Sequence, residues 1–354
     1  MRVGNYFYCS QKNKFYPSNH NYCGINTIFI VYDQNGNSQP FMRNIFYILL
    51  MLVCLGCSAG KVSRSNQQVA VITDPAFANG ISVIGSNSSQ PNVTDTIYPF
   101  GKTKGKPSWR VVQWASRFVL SGDKPVVNDD TVIYQNAGKR ITFLKKGRHT
   151  TVGLEVKGSA EYISPRKNNQ SWPHLLLEQQ YAAPISLSHV QHLNYSIQAK
   201  LLYATDHLGN AFDKGLHTAQ INLFISIQNL NPNSAGYRDY FWFGLPLYDY
   251  RYPEIAPYDA QDMGKDDATK KFISAVSSAE LYAGTMHNKQ WIAINKDVYP
   301  MLVKAFNTAQ QRGFLKGSKL SDMAIGEMNV GWEIPGTYDA GILIKDLKLT
   351  AGLK

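Results

Sequence analysis

Cysteine is scarce in this chain, and its placement decides more than its number. All four, Cys9, Cys23, Cys54 and Cys57, lie within the first 57 residues. Whatever folds after them has no disulfide, no thiolate metal site and no cysteine nucleophile. Charge is scarce as well, at 17% of residues. The net +11 comes from scattered lysines with short clusters at Lys102–Lys106 and Lys145–Arg148, and no basic helical stripe is present. Nucleic acid is therefore not the expected partner, and an acidic polymer suits the charge better. There is no glycine-rich phosphate loop and no Gly-x-Ser-x-Gly elbow. His189-x-x-His192 has no third ligand at a usual spacing, so no metal is expected. Asp259, Asp262, Asp266 and Asp267 lack the closing glutamate of a calcium loop and read as a solvated acidic loop. No cofactor follows from any of these.

Long apolar runs are missing too, with one exception. From Met42 the chain reads MRNIFYILLMLVCLGCSAG, with one arginine, an apolar run from Ile45 to Leu55, and Gly56-Cys57 before small residues. That is the pattern of a secretory signal, and the run is well short of the roughly 20 residues that span a bilayer. It resembles a bacterial lipoprotein signal, which implies cleavage before Cys57 and lipid on that cysteine. Residues 42–57 are then the signal, and residues 1–41 precede an export signal that acts from the N-terminus. Translation is expected to start at Met42. Residues 58–106 read as a tether and irregular lead-in. Residues 58–354 keep 32 basic against 24 acidic side chains, a net +8. The expected location is lipid-anchored, periplasmic or on the outer-membrane surface, with the membrane reached through the lipid alone.

What remains is a β-rich composition of 12% aromatic residues, with 21 Tyr and 27 Gly. The stretch Leu216–Leu230 alternates throughout. Ala219, Ile221, Leu223, Ile225 and Ile227 fall on one side, and Thr218, Gln220, Asn222, Phe224, Ser226 and Gln228 on the other. Successive side chains of a strand point to opposite faces, so this is a long strand with one face in a core. From Trp109 onward about a dozen such strands are separated by turn signals, among them Trp109–Leu120, Ala160–Ser164, His174–Tyr181, Leu193–Tyr203, Tyr240–Leu247 and Ala324–Ile334. One helix stands among them. Asp297 can cap it, Pro300 lies in its first turn, and Leu302, Ala305, Phe306 and Ala309 form its apolar stripe before Gly313. The pattern is that of an all-β, two-sheet sandwich over 107–354 with one short helix.

The open face of the central strand carries amides and hydroxyls, the groups that hydrogen-bond sugars. Parity gives two more such rows: His174, Leu176, Glu178 and Gln180 on one strand, and Asn194, Ser196, Gln198 and Lys200 on another. Side by side, the three rows would make one polar face; a single bulge would invert any of them. The run Tyr240–Arg251 adds aromatic rings that stack on sugar faces. Two of Phe241, Trp242 and Phe243 are expected in the core, with Tyr248, Asp249 and Arg251 turned to a cleft or loop. Glu327, Asn329, Gly331 and Glu333 share one strand face. Its two carboxylates would lie about 20 Å apart, too far for a glycosidase pair, so one of them would need Glu178 as its partner.

Together these features resemble the concanavalin A-like jelly-roll proteins that act on carbohydrates outside the cell. Within that group the polysaccharide lyases neutralise a uronate carboxylate with an amide and an arginine, and use a histidine or tyrosine as base and acid. The resemblance implies Gln220, Gln198, Arg166, His174 and Tyr248 for those roles; the carboxylate pairing above makes Glu178 a further catalytic candidate. Lys200, Asn222, Gln228, Trp242 and Arg251 join Gln198 as substrate contacts. A lyase acting on an acidic glycan, a glycoside hydrolase, a non-catalytic glycan-binding lipoprotein and a structural protein all remain open from sequence.

Overall fold

The computed structural model describes residues 67–120, 124–263 and 268–354. The expected signal at 42–57 with its Cys57, and the acidic pair Asp266–Asp267, lie outside them. The strands in chain order are β1 (Gln68–Ala70), β2 (Ile81–Ile84), β3 (Val93–Ile97), β4 (Trp109–Val112), β5 (Val126–Asn128) and β6 (Thr131–Gln135). Then come β7 (Lys139–Lys146), β8 (His149–Lys157), β9 (His174–Ser186), β10 (Val190–Asp206), β11 (Gln220–Asn229) and β12 (Tyr240–Asp249). The last are β13 (Tyr258–Gln261), β14 (Phe272–Ala275), β15 (Ile292–Asp297), β16 (Met323–Glu333) and β17 (Tyr338–Leu353).

They form two sheets. Sheet A is eight-stranded in the order β15-β10-β17-β8-β7-β6-β5, with β1 added on β17; sheet B is nine-stranded in the order β13-β14-β12-β11-β16-β9-β4-β2-β3. The inner faces pack on each other, giving the all-β, two-sheet sandwich that the alternation implied. The reason is visible in β11, where Ile221, Leu223, Ile225 and Ile227 are fully buried while the residues between them face away from the core. Burying each such side chain contributes roughly 1.5–3 kcal/mol, and a one-residue slip would expose the whole set. Trp332 of β16 ties the sheets directly, its indole Nε1–H donating to the Leu154 carbonyl of β8 at 2.8 Å.

The helix Tyr299–Gln311 buries the four residues of the apolar stripe, Leu302, Ala305, Phe306 and Ala309. It packs on β10 of one sheet and on β12 and β14 of the other, closing the sandwich between them. Asp297 accepts the Tyr299 N–H at 3.1 Å and the Leu193 N–H at 2.9 Å, so it anchors the helix entry to β10.

Three expectations are corrected. The lead-in is not irregular, because β2 and β3 complete sheet B and β1 pairs with β17. Ala160–Ser164 is not a strand: a helical turn at Gly158–Glu161 occupies its start, so that Glu161 can reach back. Its carboxylate takes the Arg117 N–H at 2.7 Å, the Ser116 hydroxyl at 2.6 Å and the buried Lys139 ammonium at 2.6 Å. Finally, β10 belongs to sheet A. Gln198 and Lys200 therefore lie on the other side of the sandwich from Gln220, and the three polar rows do not make one face.

Candidate functional site

The open face of sheet B is built where β12, β11, β16, β9 and β4 lie side by side, and their register groups its side chains into rungs. The first rung is Asp249, Gln220, Glu333 and His174. The second is Pro246, Asn222, Gly331, Leu176 and Val112, and the third Gly244, Phe224, Asn329, Glu178 and Arg110. The fourth is Trp242, Ser226, Glu327 and Gln180, and the fifth begins Tyr240, Gln228 and Ala324. Parity within β9, β11 and β16 thus held. Gly331 leaves a gap in the second rung that no other residue could leave. It has φ of +152°, and a Cβ there would lie 2.2 Å from the Leu175 carbonyl oxygen.

The third and fourth rungs hold two glutamates and an arginine. Glu178 is ion-paired with Arg110. Glu327 accepts a hydrogen bond from the Gln180 amide at 3.2 Å. Asn329 stands opposite Glu178, so Glu327 is one diagonal step from it on the neighbouring strand. Such diagonal neighbours are about 7–8 Å apart. Burial raises the Glu327 carboxyl above its ordinary range, and the Gln180 hydrogen bond and the Arg110 charge offset this only in part. Burial also lowers the Arg110 guanidinium, against the pull of Glu327. Beside this pair, Trp242 meets Phe224 and Tyr240 edge-on, with ring centroids 6.4 and 5.6 Å apart. Trp242 is half-buried on the open face, while Phe241 and Phe243 are in the core.

At the first rung the Gln220 amide donates to the Glu333 carboxylate at 3.0 Å, and His174 is the partner of Glu333 on the other side. Gln220 and His174 are brought together with a carboxylate between them. The other residues of the expected set are placed elsewhere. Tyr248 faces the core, packed on Trp332 and His287 with centroids 5.9 and 4.8 Å away. A bulge is the cause. Ile221 pairs with Tyr248 and Asn222 with Pro246, so Leu247 is an extra residue that turns Tyr248 inward and Asp249 outward. Arg166 is buried behind the sheet end. It donates to the Gln170 carbonyl at 2.7 Å and the Leu216 carbonyl at 3.2 Å, and lies 4.7 Å from the Trp172 ring, which in turn stacks on His174. Arg251 forks onto Asp249 at 2.9 and 2.6 Å, and Thr218 donates to the same carboxylate at 2.7 Å. On the far sheet, Gln198 donates to Asp346 at 2.9 Å.

Sequence reasoning missed Arg110. The signal was present, since Trp109 and Val111 are core residues and parity turns Arg110 to the open side. Among the described residues no group of three or more His, Cys, Asp or Glu side chains could hold a metal ion.

No protein-family model and no curated protein matches the chain. Solved structures do. One is a thermostable cellulase derived from a Rhodothermus marinus enzyme, 13% identical over 69% of this chain and 100% of that one, with a TM-score of 0.36. Another is a family 12 xyloglucanase from Bacillus licheniformis, 10% identical over 65% and 97% of the two chains, with a TM-score of 0.36. A third is the Trichoderma harzianum endoglucanase 3 from glycoside hydrolase family 12, at 12%, 64% and 92%, with a TM-score of 0.32.

Proposed function

We propose that the open face of sheet B binds a glycan chain and hydrolyses its glycosidic bonds, with Glu327 as general acid and Glu178 as the carboxylate that stays ionised. The observation that carries this is the diagonal Glu178–Glu327 pair, one carboxylate ion-paired with Arg110 and the other carboxyl raised by burial. Two carboxyls about 5–9.5 Å apart, one protonated and one ionised, are what glycoside hydrolysis requires. Glu327 gives its proton to the leaving oxygen. Glu178, ion-paired with Arg110, either attacks the anomeric carbon or activates a water against it. The configuration of the first product reports which. Trp242, Phe224 and Tyr240 supply stacking surface, and Ser226, Asn329, Gln228 and Asn222 supply hydrogen bonds.

The lyase reading loses its support. A uronate carboxylate bound between Gln220 and His174 would meet the Glu333 carboxylate, and neither Arg166 nor Tyr248 faces that spot. A binding-only role is the second reading, favoured by the direct Arg110–Glu178 ion pair, which occupies one of the two carboxylates.

The test is reducing-end release from neutral polysaccharides, cellulose and xyloglucan among them, and from uronate polysaccharides, with ultraviolet absorbance followed for unsaturated product. Glu327→Gln and Glu178→Gln should each lower the rate by about 10²–10⁴-fold. No release on any polymer, with retention of one of them in an affinity gel, would leave the binding role. Unsaturated product lost in His174→Ala would restore the lyase. The lipid anchor on Cys57 is proposed alongside, and the mass of the N-terminal peptide of the mature protein tests it.

A further inference from the structure

The outer face of sheet A is turned away from Glu178 and Glu327, and it carries the opposite charge. We propose that it is a second glycan-binding surface, made for an acidic polysaccharide. Its centre is Trp291, which is 39% exposed and stands just before Ile292, the cross-strand partner of Ala199. The Lys345 ammonium lies 4.4 Å from the Trp291 ring centroid. Lys345 is directly across from Gln198, and Lys348 from Ser196. Lys200 extends the same outward row of β10, two residues beyond Gln198. Stacking surface, amide, hydroxyl and three ammonium groups thus lie together across β15, β10 and β17.

Charge complementarity names the occupant. The one carboxylate among these groups, Asp346, is engaged by Gln198 and His149, each at 2.9 Å. Among the described residues none of the three lysines is in an ion pair. The rungs of sheet B carry no lysine, and set Glu178, Glu327, Glu333 and Asp249 against Arg110 alone, with Arg251 forked onto Asp249. A polyanion is repelled from that face and attracted to this one. An indole with amides and hydroxyls around it suits sugar rings, which stack on the ring and hydrogen-bond at its rim. The surface acts independently of any chemistry on sheet B.

The experiment is affinity electrophoresis of the full chain in gels containing polygalacturonate, with xyloglucan gels in parallel. The expected result is retardation by polygalacturonate that weakens about tenfold in Trp291→Ala, which leaves the charge unchanged. It should be lost in Lys200→Glu/Lys345→Glu and kept in Lys104→Glu/Lys106→Glu, the same charge change in an exposed loop. Glu327→Gln should run as wild type, so the result stands whether or not sheet B hydrolyses anything. The proposal is overturned by an unretarded wild type, an unaffected Trp291→Ala, or equal losses in the two double variants. Capture by phosphatidylglycerol vesicles without retardation by the polymer would assign the face to a membrane and overturn it as well.

Discussion

At the scale of single residues, the properties that matter are those of Glu327 and its neighbours. Its carboxyl is raised by burial, so its neutral form is favoured in the fold. As a general acid it must be protonated, and activity is expected to fall as pH rises through its elevated value; a pH–rate profile on a soluble glycan checks this. Linkage has the same sign. A carboxyl raised in the folded state leaves stability intact below its unfolded value, and that stability is lost as pH rises through the folded one. Glu327→Gln should therefore melt higher than wild type at neutral pH and show no such gain near about pH 3, where the carboxyl is protonated in both states. Lys139 is a contrasting case. It is buried against Glu161, and Lys139→Met would strand that carboxylate at a cost of about 3–5 kcal/mol, measurable by denaturant unfolding.

Elements decide where these residues point. In β11 strict alternation was enough, because the extra residues in its pairings lie on its neighbours, at Leu247 of β12 and Gly326 of β16. Leu223→Ala, at a fully buried position, should cost about 2–5 kcal/mol by denaturant unfolding. In β12 alternation failed at one residue. Tyr240, Trp242, Gly244 and Pro246 keep the open face, and the bulge at Leu247 then exchanges Tyr248 for Asp249. The helix entry depends on Asp297. Burial alone would raise its carboxyl, but the bonds from His192 and from the Leu193 and Tyr299 N–H groups outweigh that and hold it below its usual range. Its contribution is present above the unfolded value and is lost as pH falls through the lowered one. Asp297→Ala should reduce the melting temperature at neutral pH, by the equivalent of about 1 kcal/mol, and have little effect in strong acid.

For the whole molecule, the two sheets divide the charge. Carboxylates gather on the open face of sheet B and lysines on the outer face of sheet A, so a net +8 over residues 58–354 says little about what either face binds. Retention by an acidic polymer is expected to fall steeply as salt is added, because exposed lysines are screened over about 10 Å. Hydrolysis of a neutral glycan should change little over the same range. Parallel titrations of retardation and rate with sodium chloride separate the two.

Several features follow from the sequence alone: the strand periods, the helix with its four-residue stripe, the sandwich class, and the sharing of a face by Glu327, Asn329 and Glu333. Each is a local property, because side-chain direction within a strand or helix is set by backbone geometry a few residues long. Only the tertiary structure decided that β9 and β11 flank β16 while β10 lies in the other sheet. It also decided that Leu247 bulges and that Arg110 closes on Glu178. Strand order is chosen by burial summed over both inner faces, between residues distant in the chain. A bulge is one residue accommodated by its neighbour's register. Neither leaves a periodic mark on the strand that carries it, and the Glu178–Glu327 diagonal exists only once both are settled.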